Sequence, residues 1–369
     1  MKILIGGDYY PAYSLKPVIE KGDYSIFDVL APLTHNVDYS IVNFESPVVI
    51  ENYAPIKKWG PNLYSSKKAV EAISYAGFNL VTLANNHILD YGEKGILDTL
   101  KVCSEYHIET VGAGKNLREA SAIFYKEING KVLGIINCCE HEFSIASEYS
   151  SGANPLNPVQ QYYKICEAKE LADYVIVIVH GGHEHFQLPS LRMVETYHFF
   201  VDAGADVVVN HHQHCYSGYE VYKGKPIFYG LGNFCFDKPG KVNTTWNEGF
   251  LLELSLLPNN ITFELHPYLQ CNGDTKIDFL KNKDEWNSNI EKLNLIISDA
   301  SLLQKECERF YKKQRKRMLM LFEPYWDRIS AKLYQKGFLP SILFRMKEQQ
   351  IKNVINCESH RDVLTYCIG

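Results

Sequence analysis

The stretch from Gly204 to Phe234, GADVVVNHHQHCYSGYEVYKGKPIFYGLGNF, sets His211, His212 and His214 where a run of valines stops. Neutral imidazole is a ligand for zinc, manganese and iron, and it exchanges protons near neutral pH. In an extended segment residues two apart point the same way, so His212 and His214 are expected to face one centre and His211 the other side. Other groups able to hold an ion or move a proton stand in similar places. Asp8 follows Gly6-Gly7 after an apolar run, Glu45 follows Asn43-Phe44, Asn85-Asn86-His87 follows Leu80 to Leu83, and His180 follows Val175 to Val179. Each alone has an ordinary alternative: a helix cap, a surface salt bridge, a histidine satisfied by a carbonyl. Their common position at the ends of apolar runs argues for one site. Carboxylate, amide and imidazole together suit Mn, Zn or Fe better than calcium, and the ligands suffice for one ion or for two sharing a carboxylate.

The elements that must position these groups are short β-branched runs, near-continuous in apolar character, separated by helix-like segments at Ser65 to Ala76, Gly92 to Tyr106 and Val159 to Leu171. That alternation predicts parallel strands covered on both faces, with ligands gathered beyond the strand carboxyl ends. Lys223-Gly224 and Pro258-Asn259-Asn260 read as hairpin turns, so antiparallel strands are expected beside the parallel ones. After about residue 272 the composition shifts, and the segments Glu285 to Ile297, Leu302 to Phe322, Glu323 to Lys336 and Leu339 to Asn356 read as helices. The basic run from Lys312 to Arg317 precedes Met318 to Phe322. It is expected to be a solvated helix face running into a packed stretch, with docking to an anionic membrane or acidic polymer as the alternative.

With 369 residues, 46% of them hydrophobic, the chain can bury one large α/β core with an appendage. A net charge of −5, from 38 basic and 43 acidic residues, gives no global field for nucleic acid, and none is expected as a partner. The first apolar run ends at Ile5, too short for an export signal or a transmembrane segment, and the ten cysteines lack CxxC pairing. Both features lead to the expectation of a cytoplasmic protein with reduced thiols.

The stretches GGDYY, VNFESPV, VTLANNHILDYGEKGILDT, VHGGHEH and the histidine-rich one above resemble, in order, the motifs of the CapA family. These are bacterial capsule (poly-γ-glutamate) synthesis proteins of the calcineurin-like metallophosphoesterase superfamily. The match runs from Met1 to about Gln270. It implies an α/β protein with a four-layer α/β/β/α calcineurin-like metallophosphatase fold over residues 1–272 and a helical C-terminal extension over 273–369. It also implies that Asp8 and His214 hold a first metal, that Glu45 bridges, and that Asn86, His180 and His212 hold a second. His87 would protonate a leaving group. Asn43, Asn85, His211 and Asn233 would stand beside ligands or substrate, and Glu184 would orient a histidine ligand.

Two departures stand out. Tyr10 replaces the superfamily's histidine two residues after the aspartate, a loss common in CapA-type proteins, which supports that resemblance while weakening the first metal site. The usual HWGxEY appears as His180 to His185, HGGHEH. Lys57 and Lys58, in the loop from Tyr53 to Tyr64, suit an anion at the rim. The expected activity is metal-dependent hydrolysis of a phosphoester or γ-glutamyl amide in capsular polysaccharide or poly-γ-glutamate biosynthesis, on an anionic small molecule or polymer and in concert with capsule-synthesis proteins. The alternatives are a non-catalytic accessory that binds polymer or product, and a general phosphodiesterase.

Overall fold

The computed structural model describes residues 1–369 apart from 259, 326, 344, 357–359, 361–362 and 365–369, and apart from the side chains of 321, 345, 346, 348 and 356. The chain opens with β1 (Lys2–Tyr9), α1 (Leu15–Glu20), a 3-10 turn (Ser25–Leu30), α2 (Ala31–Thr34) and β2 (Tyr39–Phe44). Then come α3 (Lys67–Tyr75), β3 (Leu80–Thr82), α4 (Gly92–Glu105), β4 (Glu109–Val111), β5 (Ala113–Gly114) and α5 (Leu117–Ala120). The middle holds β6 (Phe124–Ile128), β7 (Lys131–Cys139), β8 (Gly152–Ala153), α6 (Pro158–Leu171), β9 (Tyr174–His180), α7 (Leu191–Ala203) and β10 (Val207–His211). It continues with β11 (Tyr219–Tyr222), β12 (Lys225–Phe228), β13 (Glu248–Leu257), β14 (Asn260–Gln270), β15 (Ile277–Phe279) and α8 (Asp284–Ser298). Last are α9 (Ala300–Leu319), a 3-10 turn (Met320–Phe322), α10 (Arg328–Gln335) and α11 (Arg345–Asn356).

Two mixed sheets result. The first has the order β15-β14-β13-β1-β2-β3-β4 and the second β11-β12-β10-β9-β7-β6. Strands β1 to β4 run parallel, as do β7, β9, β10 and β12, while β13 to β15, β6 and β11 are antiparallel additions. Alternate residues of the inner strands divide between two cores. Ile3, Ile5, Ile41 and Leu252 of the first sheet pack with Ile135, Ile176, Ile178, Val207 and Val209 of the second. Leu4, Val42, Val81 and Leu251 face outward onto Val70 and Ile73 of α3 and Ile96 and Val102 of α4. Helices α6 and α7 cover the outer face of the second sheet, against β7, β9 and β10. The layering is therefore helix, sheet, sheet, helix, as the strand pattern and the resemblance led one to expect.

Local signals explain where the elements begin. The Ser66 hydroxyl caps α3, Asn157 caps α6 with Pro158 at its first position, and Ser190 caps α7. Lys223 and Gly224 both take positive φ, the backbone of a tight hairpin turn. The other expected turn is present between β13 and β14, though Asn259 lies outside the described residues.

The first compact unit spans Met1–Gln304 and the second Lys305–Gly369. The division thus falls later than the composition shift at 272 suggested. Strand β15 adds to the first sheet, and α8 buries Trp286 and Ile290 in the intersheet core. Hydrophobic burial, not helical composition, assigns α8 to the first unit. The second unit holds most of α9 with α10 and α11. Trp326 and Phe344, inside the segments expected to be helical, lie outside the described residues.

Candidate metal centre

The carboxyl ends of β1, β2, β9 and β10 meet at one edge and deliver Asp8, Asn43, Glu45, His180 and His212 together. The Gly6-Gly7 pair does not turn the chain; β1 continues to Tyr9, and the pairing with β2 slips between Gly6 and Asp8. Gly7 is needed for contact. A Cβ there would sit 1.9 Å from the Gly232 carbonyl oxygen, which accepts the Asp8 N–H at 3.1 Å. Gly7→Ala is therefore expected to cost about 1–3 kcal/mol of stability in urea unfolding of chelated protein. It should also weaken metal uptake in a titration, because the strand segment carrying Asp8 must shift.

Two sets of ligand atoms form at this edge. Glu45, His180 and His212 make one, Asp8, Glu45 and His214 the other, and within each set the atoms lie within 4.8 Å of one another. Glu45 belongs to both. In the first set His180 Nε2 lies 3.0 Å from His212 Nδ1, 3.1 Å from Asn86 Oδ1 and 3.8 Å from Glu45 Oε1. Four ligands about 2.0–2.2 Å from a tetrahedral ion are separated by about 3.4 Å, so this spacing fits one. In the second set His214 Nε2 is 3.6 Å from Glu45 Oε1, and His214 Nδ1 is 3.7 Å from Asp8 Oδ2.

The residues around these atoms hold them in the ligating form. His214 Nδ1–H donates to Asn233 Oδ1 at 2.9 Å, which leaves the Nε2 lone pair facing Glu45. Asn43 donates to Asp8 Oδ1 at 2.7 Å and lies 3.3 Å from His180 Nδ1, while its own oxygen accepts from Thr82. The Asp8 Oδ2 atom accepts the His212 N–H at 3.1 Å. Asn85 ties the loop down, donating to Phe44 O and accepting from the His87 N–H.

Burial sets the electrostatics. Glu45 is fully buried and neither of its oxygens has a hydrogen-bond partner. Burial, then the Asp8 charge, pushes its carboxyl well above the usual range, and burial raises Asp8 as well. His180 and His214 are held well below the usual imidazole value, by burial first and then by neighbouring histidines. Neutral imidazoles around a carboxylate with no partner are unfavourable for the protein alone and favourable for a divalent cation. The residues present therefore fit bound ions.

The extended-segment argument for the histidines needs correction. Strand β10 ends at His211, and His212 and His214 take φ of 92° and 54°, left-handed backbone that side chains rarely adopt. The two imidazoles face the same region, yet each joins a different ligand set. Such conformations persist where surrounding structure over-determines them, and they cluster at functional sites. His211 points between the sheets, its Nε2–H donating to Gly6 O at 3.0 Å.

His87 stands beside the centre, its Nδ1–H donating to Asp90 at 2.6 Å. Lys58 pairs with the same Asp90 carboxylate and lies 3.1 Å from His87 Nδ1. The Lys58 and Asp90 side chains are 2% and 0% exposed, so this is a buried ion pair. Its partners were visible in sequence only as a rim lysine and a loop aspartate. Lys57 is exposed, and Lys58 is the lysine that turns inward.

Glu184, expected to orient a histidine ligand, is 53% exposed and pairs with His185 at 4.0 Å, because the loop after β9 carries it toward solvent. That place is taken by Glu142, which accepts from Asn86 Nδ2 at 3.1 Å and lies 3.9 Å from His212 Nε2. Glu142 was missed, although it follows the end of β7 as the other candidates follow their strands. Burial pushes the Tyr10 hydroxyl up to about 12. Its ring packs on Phe236, and Phe236 and Trp246 pack on His214.

Two sheets between helices, with imidazoles, amides and carboxylates converging beyond the strand ends, define a protein of the calcineurin-like metallophosphoesterase fold class. More particularly, the chain belongs to the bacterial capsule synthesis protein PGA_cap family, which residues 2–238 match. It is similar to the capsule biosynthesis protein CapA of Bacillus anthracis, 38% identical over 53% of this chain and 50% of that one. It is also similar to the PGA biosynthesis protein CapA of Bacillus subtilis, 37% identical over 61% of this chain and 60% of the other. A probable polyglutamine synthesis accessory protein of Mycobacterium tuberculosis is 29% identical, over 52% of this chain and 53% of its own. The matched stretch thus spans about half the length of these relatives. Among solved structures, a putative 5'-nucleotidase from Staphylococcus aureus in complex with alpha-ketoglutarate gives a TM-score of 0.45 at 16% identity, covering 79% of this chain and 58% of that one. A 5'-nucleotidase precursor from Thermus thermophilus gives 0.46 at 12% identity, with 76% and 54% covered. Both scores are low, and nothing about activity follows from them.

Proposed function

We propose that the protein is a metal-dependent hydrolase of a phosphoester or γ-glutamyl amide, working in the synthesis of a capsular or poly-γ-glutamate polymer. The observation that carries the proposal is Glu45, buried without a partner where the two ligand sets meet. Asn86, His180, His212 and Glu45 would hold one divalent ion, and Asp8, His214 and Glu45 a second. Ions there would supply Lewis acidity toward water and a polarised oxygen of the substrate. His87, its Nδ1–H held by Asp90, would give a proton to the leaving group from Nε2 in its imidazolium form, a contribution of about 10²–10⁴ in rate. The polymer context comes from the family and from the relatives' names.

Treatment with chelator should abolish hydrolysis, and manganese, zinc or iron added singly should restore it on a phosphodiester, a phosphomonoester or a γ-glutamyl amide. Absence of metal-restored turnover on all three would falsify the hydrolase. A second reading, a polymer-binding accessory, draws on the name of one relative, a probable polyglutamine synthesis accessory protein. It would prevail if polymer production in cells survived His87→Ala but not loss of the whole chain.

A further inference from the structure

We infer that the helical unit Lys305–Gly369 docks peripherally on an anionic lipid surface. The overall charge of −5 conceals a separation. Lys305–Gly369 contains fourteen basic and seven acidic residues, +7, whereas Met1–Gln304 contains 24 and 36, −12. Asymmetry of this kind marks a segment built to meet a negatively charged partner.

What distinguishes lipid from a soluble polyanion is the company the charges keep. Met318 and Phe322, expected from sequence to be packed, are 52% and 40% exposed. On α10, Ile329 and Leu333 lie one turn apart at 74% and 38% exposure, interleaved with Arg328 and Lys332. Phe338, just beyond that helix, is 74% exposed. A groove of 350 Å³ within the unit is lined by the apolar Met318, Leu319, Phe322, Ile351 and Ile355 together with Arg315 and Lys352. Binding a polyanion in water needs the charges alone and would leave these apolar groups hydrated. At a bilayer interface the apolar side chains enter the headgroup region while lysine and arginine reach phosphates. Among the described residues no helix is long and apolar enough to cross a membrane, so this mode of contact lies along the surface.

The test is co-sedimentation of the full chain with vesicles of phosphatidylcholine containing phosphatidylglycerol, compared with phosphatidylcholine alone. Binding is expected only to the anionic vesicles and should weaken with salt. Arg328→Gln or Lys332→Gln should each lower the partition about fivefold, the equivalent of about 1 kcal/mol per charge at the surface. Ile329→Glu or Phe338→Glu should lower it about tenfold. Both apolar positions are exposed, so helical content by circular dichroism stays unchanged, and Met318→Glu serves as a second probe. Equal binding to both vesicle types, or to neither, overturns the inference. So does a pattern in which the charge variants lose binding, the apolar variants keep it, and soluble poly-γ-glutamate displaces the protein, since that describes a polyanion site.

Discussion

Stripped of metal by chelator, the Glu45→Gln variant is expected to unfold at a higher temperature than stripped wild type, and added manganese or zinc is expected to reverse the order. Glu45 is fully buried with both oxygens unpartnered. Without a cation such a group destabilises the fold by about 1–3 kcal/mol, a penalty that a neutral amide lessens. With a cation the same carboxylate joins two ligand sets, and an ion at a hundred times its dissociation constant stabilises by about 2.7 kcal/mol. The variant forfeits that gain. Calorimetry with and without chelator reads both halves, and a variant less stable than wild type in both states would sink the metal-centre reading.

The pH dependence of the same comparison has a definite sign. Glu45 is raised above its ordinary 4.5, so the stripped folded protein keeps a proton that the unfolded chain releases. Its stability contribution is lost as pH rises from 4.5 toward the folded value. The lowered imidazoles of His180 and His214 act oppositely, and stability is lost as pH falls through their ordinary 6.5. Glu45→Gln removes the Glu45 share of the alkaline loss and leaves the share of Asp8, which burial also raises, and the acid arm of the histidines. The stability advantage of the stripped variant should therefore grow with pH above 4.5.

Asp90→Ala is the second large effect. It leaves the Lys58 ammonium, 2% exposed, without its partner and frees the His87 ring. Breaking a buried pair from one side costs about 3–5 kcal/mol, whereas replacing both members with apolar groups is close to neutral. The double variant Asp90→Ala with Lys58→Met should accordingly recover most of the stability in urea unfolding. It should not recover turnover, because His87 still lacks the carboxylate that fixes its tautomer and orientation. A double variant no more stable than Asp90→Ala alone would show that Lys58 and Asp90 do not act as a pair.

Much of the architecture could be read before folding was considered. Continuous apolar runs such as Val175 to Val179 required a sheet covered on both faces, and the hairpin read around Pro258 is the antiparallel pair β13 and β14. Strand ends marked Asp8, Glu45, His180 and His212 because parallel strands deliver their following residues to one edge. Glu142 obeyed the same rule and was passed over behind the cysteine pair at the end of β7. The helical reading of the residues after 272 placed α8 with the wrong neighbours, since periodicity shows that a helix has an apolar face but not what covers it.

What the sequence determined by itself is the set of local choices: strand or helix, caps at Ser66, Asn157 and Ser190, the Lys223-Gly224 turn, and the residue types at each strand end. These follow from short-range sterics and hydrophobic period. Only the tertiary structure decided that Glu45 lies between both ligand sets, that His212 and His214 separate through left-handed backbone, and that Lys58 rather than Lys57 turns inward to Asp90. Each of those depends on groups far apart in sequence, such as the His212 N–H on Asp8 at a separation of 204 and Lys58 on His87 at 29. The choice is made by burial and charge pairing when the two sheets close on each other, and no local preference of the chain contains it.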